Sequence, residues 1–386
     1  MTQSLADFQA AILADGVIDE AEVAQIRERV YADGVIDREE ADFLFALNDA
    51  ASDQANHASW AALFVDAICD HVLKDETSPG TVDDDEAAYL ISKIQADGKV
   101  DSTELALLVE LCARATGEAP ASLNAFILAN VKAAVLDDGI IDAAEVELLR
   151  KVVYGAGGAD GAGVDRSEAD LLFDLNDATT GKANDASWPA LFVDAICDHV
   201  LKDETSPGTV DDDEAAYLIS KIQADGTVDS TELTLLVELC ARATGEAPAS
   251  LNAFILANVK DAVLDDGIID AAEVELLSKV IYGAGGSSGA YVDRDEANLL
   301  FDLNDATTGK ANDASWKDLF VAGITSHVLG DDASPDAVDA DEAAWLIERI
   351  EGDDVYDDNE KALLRNIKDK AASLDGKLAF KIGMFT

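Results

Sequence analysis

Asp15, Asp19 and Glu22 bracket Gly16 in a phrase that keeps returning: acid, glycine, two residues, aspartate, two residues, glutamate. It recurs at Asp33, Asp37 and Glu40, at Asp97, Asp101 and Glu104, and at Asp138, Asp142 and Glu145. Further copies are Asp225, Asp229 and Glu232, then Asp266, Asp270 and Glu273, with a glycine-free variant at Asp353, Asp357 and Glu360. Side-chain oxygens held repeatedly between two helices are the usual means of gripping a hard cation, Ca²⁺ above all. A second phrase, Asp75, Asp83 and Glu86, returns as Asp203, Asp211 and Glu214 and has the frame of an EF-hand loop, with Gly80 at its sharp turn. Thr77 and Pro79 fill its third and fifth positions, and Pro79 supplies no side-chain oxygen. A more altered copy runs from Asp331 to Glu342, with Asp336 in place of the glycine.

Most of each phrase also has a plainer role. Gly16 suits a helix end in the left-handed conformation, Asp19 caps the next helix, and Glu22 completes a capping box. Each cap is worth about 1 kcal/mol. The first acid resists that account. It is expected in the last turn of the preceding helix, where the negative end of the dipole makes a carboxylate cost ~0.3–1 kcal/mol. A bound cation would relieve that crowding. These acids are therefore candidate ligands of several modest sites for Ca²⁺, with Mg²⁺ or a lanthanide as alternatives and water completing the shell.

The elements that must position them come in a repeat of period 128, marked by Trp60, Trp188 and Trp316. Residues 58–98 and 186–226 differ only at Ala61 against Pro189. The expected architecture is all-α: three tandem helical-bundle units of about six helices each, at 1–117, 118–245 and 246–386, the last with a short tail. Each is long enough to fold alone. In the second unit apolar spacing predicts helices over 121–136, 142–154, 165–175, 187–202, 211–224 and 229–244. Strand signals are essentially absent. The glycine-rich inserts at 155–163 and 283–291 follow helices and lack a P-loop lysine, so they read as loop elaborations.

The corners Ala14-Asp15-Gly16-Val17-Ile18…Glu22 and Ala96-Asp97-Gly98-Lys99-Val100…Glu104 resemble those of the TerB-like, tellurite-resistance-associated helical family. The resemblance covers the corners of all three units, about a third of each. It implies a compact α-helical domain with an acidic metal-binding patch and a role in stress-related or membrane-associated complexes. Three tandem units and the Asn-Asp/Trp segment depart from the simple family pattern.

Composition narrows the partners. The chain holds 79 acids against 27 bases, a net charge of −52. Nucleic acid and anionic membrane are disfavoured, and cations or basic proteins favoured. No basic leader and no apolar run of ~18 residues appears, which points to the cytoplasm. His71, His199 and His327 sit on an apolar helix face, as hydrogen-bonded core or boundary residues. Cys69, Cys112, Cys197 and Cys240 read as buried thiols, since the third copy has Thr325 and Lys368 there. Asp66, Asp70, Asp194 and Asp198 read as solvated. The Asn-, Asp- and Thr-rich segment 175–188 reads as a helix end and a turn, with an N-cap at Asp185 or Ser187. No nucleophile–base–orienter set is visible, so an enzyme is not expected. The reading is non-enzymatic cation binding, with an acidic tandem-repeat interaction scaffold as the alternative.

Overall fold

The structure, a computed structural model, describes residues 4–52, 54–155, 163–203, 205–245, 247–283, 292–330, 335–352 and 356–385. Apart from two short strands, its regular elements are helices. The first six are α1 (Leu5–Ile12), α2 (Glu20–Val30), α3 (Arg38–Ala50), α4 (Ala58–Leu73), α5 (Asp84–Ile94) and α6 (Ser102–Arg114). The next six are α7 (Ala121–Val135), α8 (Ala143–Tyr154), α9 (Arg166–Thr179), α10 (Trp188–Leu201), α11 (Asp212–Ile222) and α12 (Ser230–Arg242). Then come α13 (Ala249–Val263), α14 (Ala271–Tyr282), α15 (Arg294–Thr307), α16 (Ala314–Leu329), α17 (Ala340–Glu351), α18 (Asp358–Lys370) and α19 (Gly376–Phe385). The two-residue strands β1 (Ala337–Val338) and β2 (Ser373–Leu374) pair in parallel. The fold is all-α, as the periodicity predicts, and the six helices expected in the second repeat are α7 to α12 with small differences at their ends.

Most of the helices form because their apolar residues fall on one stripe. In α4, Trp60, Leu63, Phe64, Ala67, Ile68 and Val72 recur every three or four positions, and all are buried. Full burial of side chains this large contributes about 1.5–3 kcal/mol each. Phe64 receives Phe45 edge-on, with ring centroids 5.2 Å apart. Phe192 with Phe173 and Phe320 with Phe301 repeat that contact at 5.2 and 5.3 Å.

The chain divides into two compact units, Met1–Ala195 and Ile196–Thr386, with the border inside α10. In the first unit most helices, α3 excepted, pack on the one two places further on. Helices α2, α4, α6 and α8 form one layer in this way; α1 with α3, and α5, α7 and α9 in series, form the other. The second unit is built alike, from α12, α14, α16 and α18, and from α11, α13 and α15, with α17 against α19. The period borders at 117/118 and 245/246 both lie inside these units. There α5 meets α7 and α6 meets α8; correspondingly α11 meets α13 and α12 meets α14. Neighbouring repeats pack on each other across those borders, a point the repeat period leaves open.

A backbone bridge ties the α4–α5 corner to the end of α6. Thr116 donates its amide to Gly80 O at 2.7 Å and its hydroxyl to the same oxygen at 3.0 Å. Gly80 is left-handed (φ 84°), and a Cβ there would lie 2.9 Å from Thr116 Oγ1. Gly208 and Thr244 repeat the arrangement. In the third copy Asp336 takes the left-handed place (φ 59°), and its partner is Ala372, which carries no hydroxyl to collide with a side chain. Gly80→Ala should therefore cost more in urea unfolding than the ~1–2 kcal/mol of left-handed backbone alone. Adding Thr116→Ala should recover the excess, and strict additivity of the two changes would refute the steric reading.

Candidate functional site

The acid corners are the candidate site, and helix geometry accounts for most of their chemistry. A helix start leaves backbone N–H groups without partners. In α2, Asp19 Oδ1 accepts from Glu22 N at 2.8 Å, and Glu22 Oε2 accepts from Asp19 N at 2.9 Å. The same reciprocal box is made by Asp37 with Glu40, Asp83 with Glu86, Asp101 with Glu104 and Asp142 with Glu145. It recurs at Asp211 with Glu214, Asp229 with Glu232, Asp270 with Glu273 and Asp357 with Glu360. The sequence reading passed over two more boxes, Asp165 with Glu168 and Asp293 with Glu296, and Asp339 with Glu342 closes the altered EF-hand frame in the same way.

The first acid of each phrase is not where the dipole argument put it. Helix α1 ends at Ile12, and Asp15 lies three residues beyond, in the turn. Its Oδ1 accepts the amide of Val17 at 3.1 Å, across left-handed Gly16. Asp33 takes the amide of Val35 at 3.1 Å, Asp97 that of Lys99 at 2.9 Å and Asp138 that of Ile140 at 3.0 Å. Asp225 takes that of Thr227 at 2.8 Å and Asp266 that of Ile268 at 3.0 Å. All six are exposed. Such turns place the carboxylate outside the helix and give it a donor, so the expected penalty, and the cation invoked to relieve it, lose their basis. Asp353 lies outside the described residues.

The EF-hand frame is likewise a turn followed by a cap. Asp75 accepts the amides of Thr77 at 3.0 Å and Ser78 at 2.9 Å, and these bonds, that of Ser78 first, hold its carboxyl below the ordinary range. Ser78 Oγ sits 3.2 Å from both Asp75 Oδ1 and Glu86 Oε2, filling the space between the two acids. Asp203, Ser206 and Glu214 repeat this. Asp331 lies outside the described residues.

The corner between α5 and α6 is of another kind. Asp101 is half-buried and Glu104 is only 2% exposed. Asp101 Oδ2 accepts from Asn48 Nδ2 at 2.8 Å and Ser52 Oγ at 3.2 Å, and Oδ1 from the amides of Thr103 at 2.8 Å and Glu104 at 2.9 Å. Four donors occupy one carboxylate, which has about four lone-pair sites, so none remains for a metal. Trp60 Nε1 in turn donates to Asn48 Oδ1 at 3.3 Å. Asp357 is held in the same way by Asn304, Thr308 and the amides of Asn359 and Glu360. Burial, then the carboxylates of Asp101, Asp49 and Asp97, pushes Glu104 up to about 8 against the backbone bond that lowers it. Burial is also the first cause of the rise of Glu168 to about 8. Among the described residues no group of three His, Cys, Asp or Glu side chains converges to hold a metal ion. The proposed ligands thus stand as separate corners among the described residues.

The remaining candidates fall into structural roles. His71 Nδ1 donates to Ile36 O at 2.8 Å, and His327 Nδ1 to Val292 O at 2.8 Å. Cys69 and Cys197 are buried as expected, while Cys112 and Cys240 are partly exposed; desolvation pushes the thiols of Cys69, Cys112 and Cys240 up to about 12, and all four are free. Asp70, expected to be solvated, accepts from Tyr31 Oη at 3.0 Å and pairs with Lys74 at 2.7 Å, while Asp66 lies 3.0 Å from Arg114. Asp185 accepts from the amide of Ser187 at 2.9 Å, as the turn reading requires. Its neighbour Asn184 does more: Oδ1 takes the amide of Ile141 at 3.0 Å, fastening the α7–α8 corner to the end of α9. Asn56 and Asn312 do the same for Ile18 and Ile269. The sequence reading missed Asn48, Asn56 and their counterparts as hubs, and their fixed spacing from the tryptophan was the available signal.

In the third copy Asn359 stands where the first has Thr103, and its Nδ2 takes Asn304 Oδ1 at 2.8 Å. Trp316 Nε1 is left buried without an acceptor. Asn359→Thr should free Asn304 for the indole and raise unfolding stability by about 1 kcal/mol. A lower urea midpoint would reject that exchange. Glu104, raised on folding from 4.5 to about 8, takes up a proton over that range. Its protonation supports the folded state fully below about 4.5, and that support drains away as pH climbs to about 8. Melting curves of Glu104→Gln across this interval should show a flatter pH dependence than the unaltered chain.

No protein-family model, no curated protein and no solved structure matches the chain.

Proposed function

We propose that the chain is a non-enzymatic, cytoplasmic acidic scaffold that binds a basic protein partner. The supporting observation is the exposure of Asp15, Asp33, Asp97 and Asp138 in the first unit and of Asp225 and Asp266 in the second, each fixed in the same turn ahead of a helix start. Together with a net charge of −52, such exposed acids attract lysine- and arginine-rich surfaces. The TerB-like resemblance suggests stress-related complexes as the setting. Binding of a lysine-rich peptide should be measurable by calorimetry at low ionic strength and fall away once screening shortens the Debye length to about 3 Å near 1 M salt. Absence of binding at low salt would remove the proposal.

A second reading, hard-cation binding, has one observation in its favour. The carboxylates of Asp49, Asp97 and Asp101 all act on Glu104, so four acids share one field at the α5–α6 corner. Ca²⁺, Mg²⁺ and a lanthanide titrated into chelator-treated protein should then raise the melting temperature beyond the effect of matched ionic strength. Asp97→Asn should weaken that response if Asp97 is a ligand. If the response is unchanged, the corner serves only as a turn and a cap.

A further inference from the structure

Helix α19 seats itself against α17 and α18 through Leu378 (0% exposed) and Ile382 (1%). Leu123 and Ile127 seat α7 in the corresponding place against α5 and α6, and Leu251 and Ile255 seat α13 against α11 and α12. At the outward positions α7 carries Ala125 and Ala129 and α13 carries Ala253 and Ala257, all exposed. In α19 those positions are Phe380, 75% exposed, and Met384, 65% exposed. Internal packing is satisfied by alanine at this face, so two large apolar side chains, one helical turn apart, serve something outside the chain. Among the described residues Val35 is the only other exposed large hydrophobic, and it belongs to the other unit.

The surroundings indicate the occupant. Helix α19 has two lysines and no acid, in a chain where acids outnumber bases nearly threefold. Lys381 pairs with Glu351 at the edge of the apolar face, and Lys377 lies beside them. Two chains of net charge −52 repel each other least at such a place, and a patch edged by both signs complements itself under two-fold rotation. We propose that this face of α19 is a self-association surface, on which a second copy of the chain docks with its own Phe380 and Met384. One helix face buries far less than the ~1,600 Å² of a tight complex, so the dimer is weak, and salt strengthens it by screening the net charge.

Sedimentation equilibrium at rising concentration, up to about 0.5 mM, tests this in low salt and at about 1 M salt. The mass should climb from monomer toward dimer, further at high salt. Phe380→Ser with Met384→Ser should stay monomeric in both conditions while melting as the unaltered chain does, since neither side chain is buried. A chain monomeric throughout would overturn the proposal. So would association that salt abolishes, or a doubly substituted chain that still dimerises.

Discussion

The structure depends on the reciprocal bond between an aspartate that precedes a helix and the glutamate three residues inside it. A fold made of many short helices has many helix starts, and each start exposes amide donors that must find acceptors. Here the same solution recurs at twelve of the nineteen described helices. Asp19 with Glu22 meets the need at α2, Asp101 with Glu104 at α6, and Asp357 with Glu360 at α18. The acid-rich composition is thus partly a consequence of architecture. Twelve of the described helices consume such a capping pair, and six of those add an acid that closes a glycine turn before it, whereas α4, α7, α13 and α16 start without such a pair.

The same economy explains why these corners imitate cation loops. An EF-hand and a capped helical corner ask for similar text: a glycine to reverse the backbone, an aspartate to receive amides, a glutamate three residues on. They differ in where the oxygens are spent. Asp101 and Asp357 each receive four donors from the protein, and Ser78 fills the gap between Asp75 and Glu86. Two grades of corner result. Those at Asp15 and Asp138 are open to water. Those ending in Glu104, Glu232 and Glu360 bury the glutamate to 2% exposure. At Glu104 the carboxyl is retained for its hydrogen bonds at the expense of its charge, since desolvation raises it.

Much of the fold was legible in the sequence because helix periodicity and capping text are local signals. Leu123, Ile127 and Val131 announce α7, and Asp142 with Glu145 announces the start of α8. The role of Asp15 was misread because the helix end fell three residues early, which moved the acid from an unfavourable dipole into a favourable turn. The links across α3, α4 and the α5–α6 corner, from Trp60 through Asn48 to Asp101, were hidden because they join residues far apart in the chain. The period itself gave no hint that α6 would pack on α8 across a repeat border, since the apolar faces of one repeat look the same whether they meet a neighbour or fold back on themselves.

That neighbour-on-neighbour packing also sets how the molecule answers force. Within each unit a helix owes its burial to elements close by in the chain, and no single nucleus clamps the whole. Tension on such a stack is released by peeling outer helices in succession, with little need to rupture everything at once. Each unit is thereby expected to extend stepwise under load, with the capped corners as its joints.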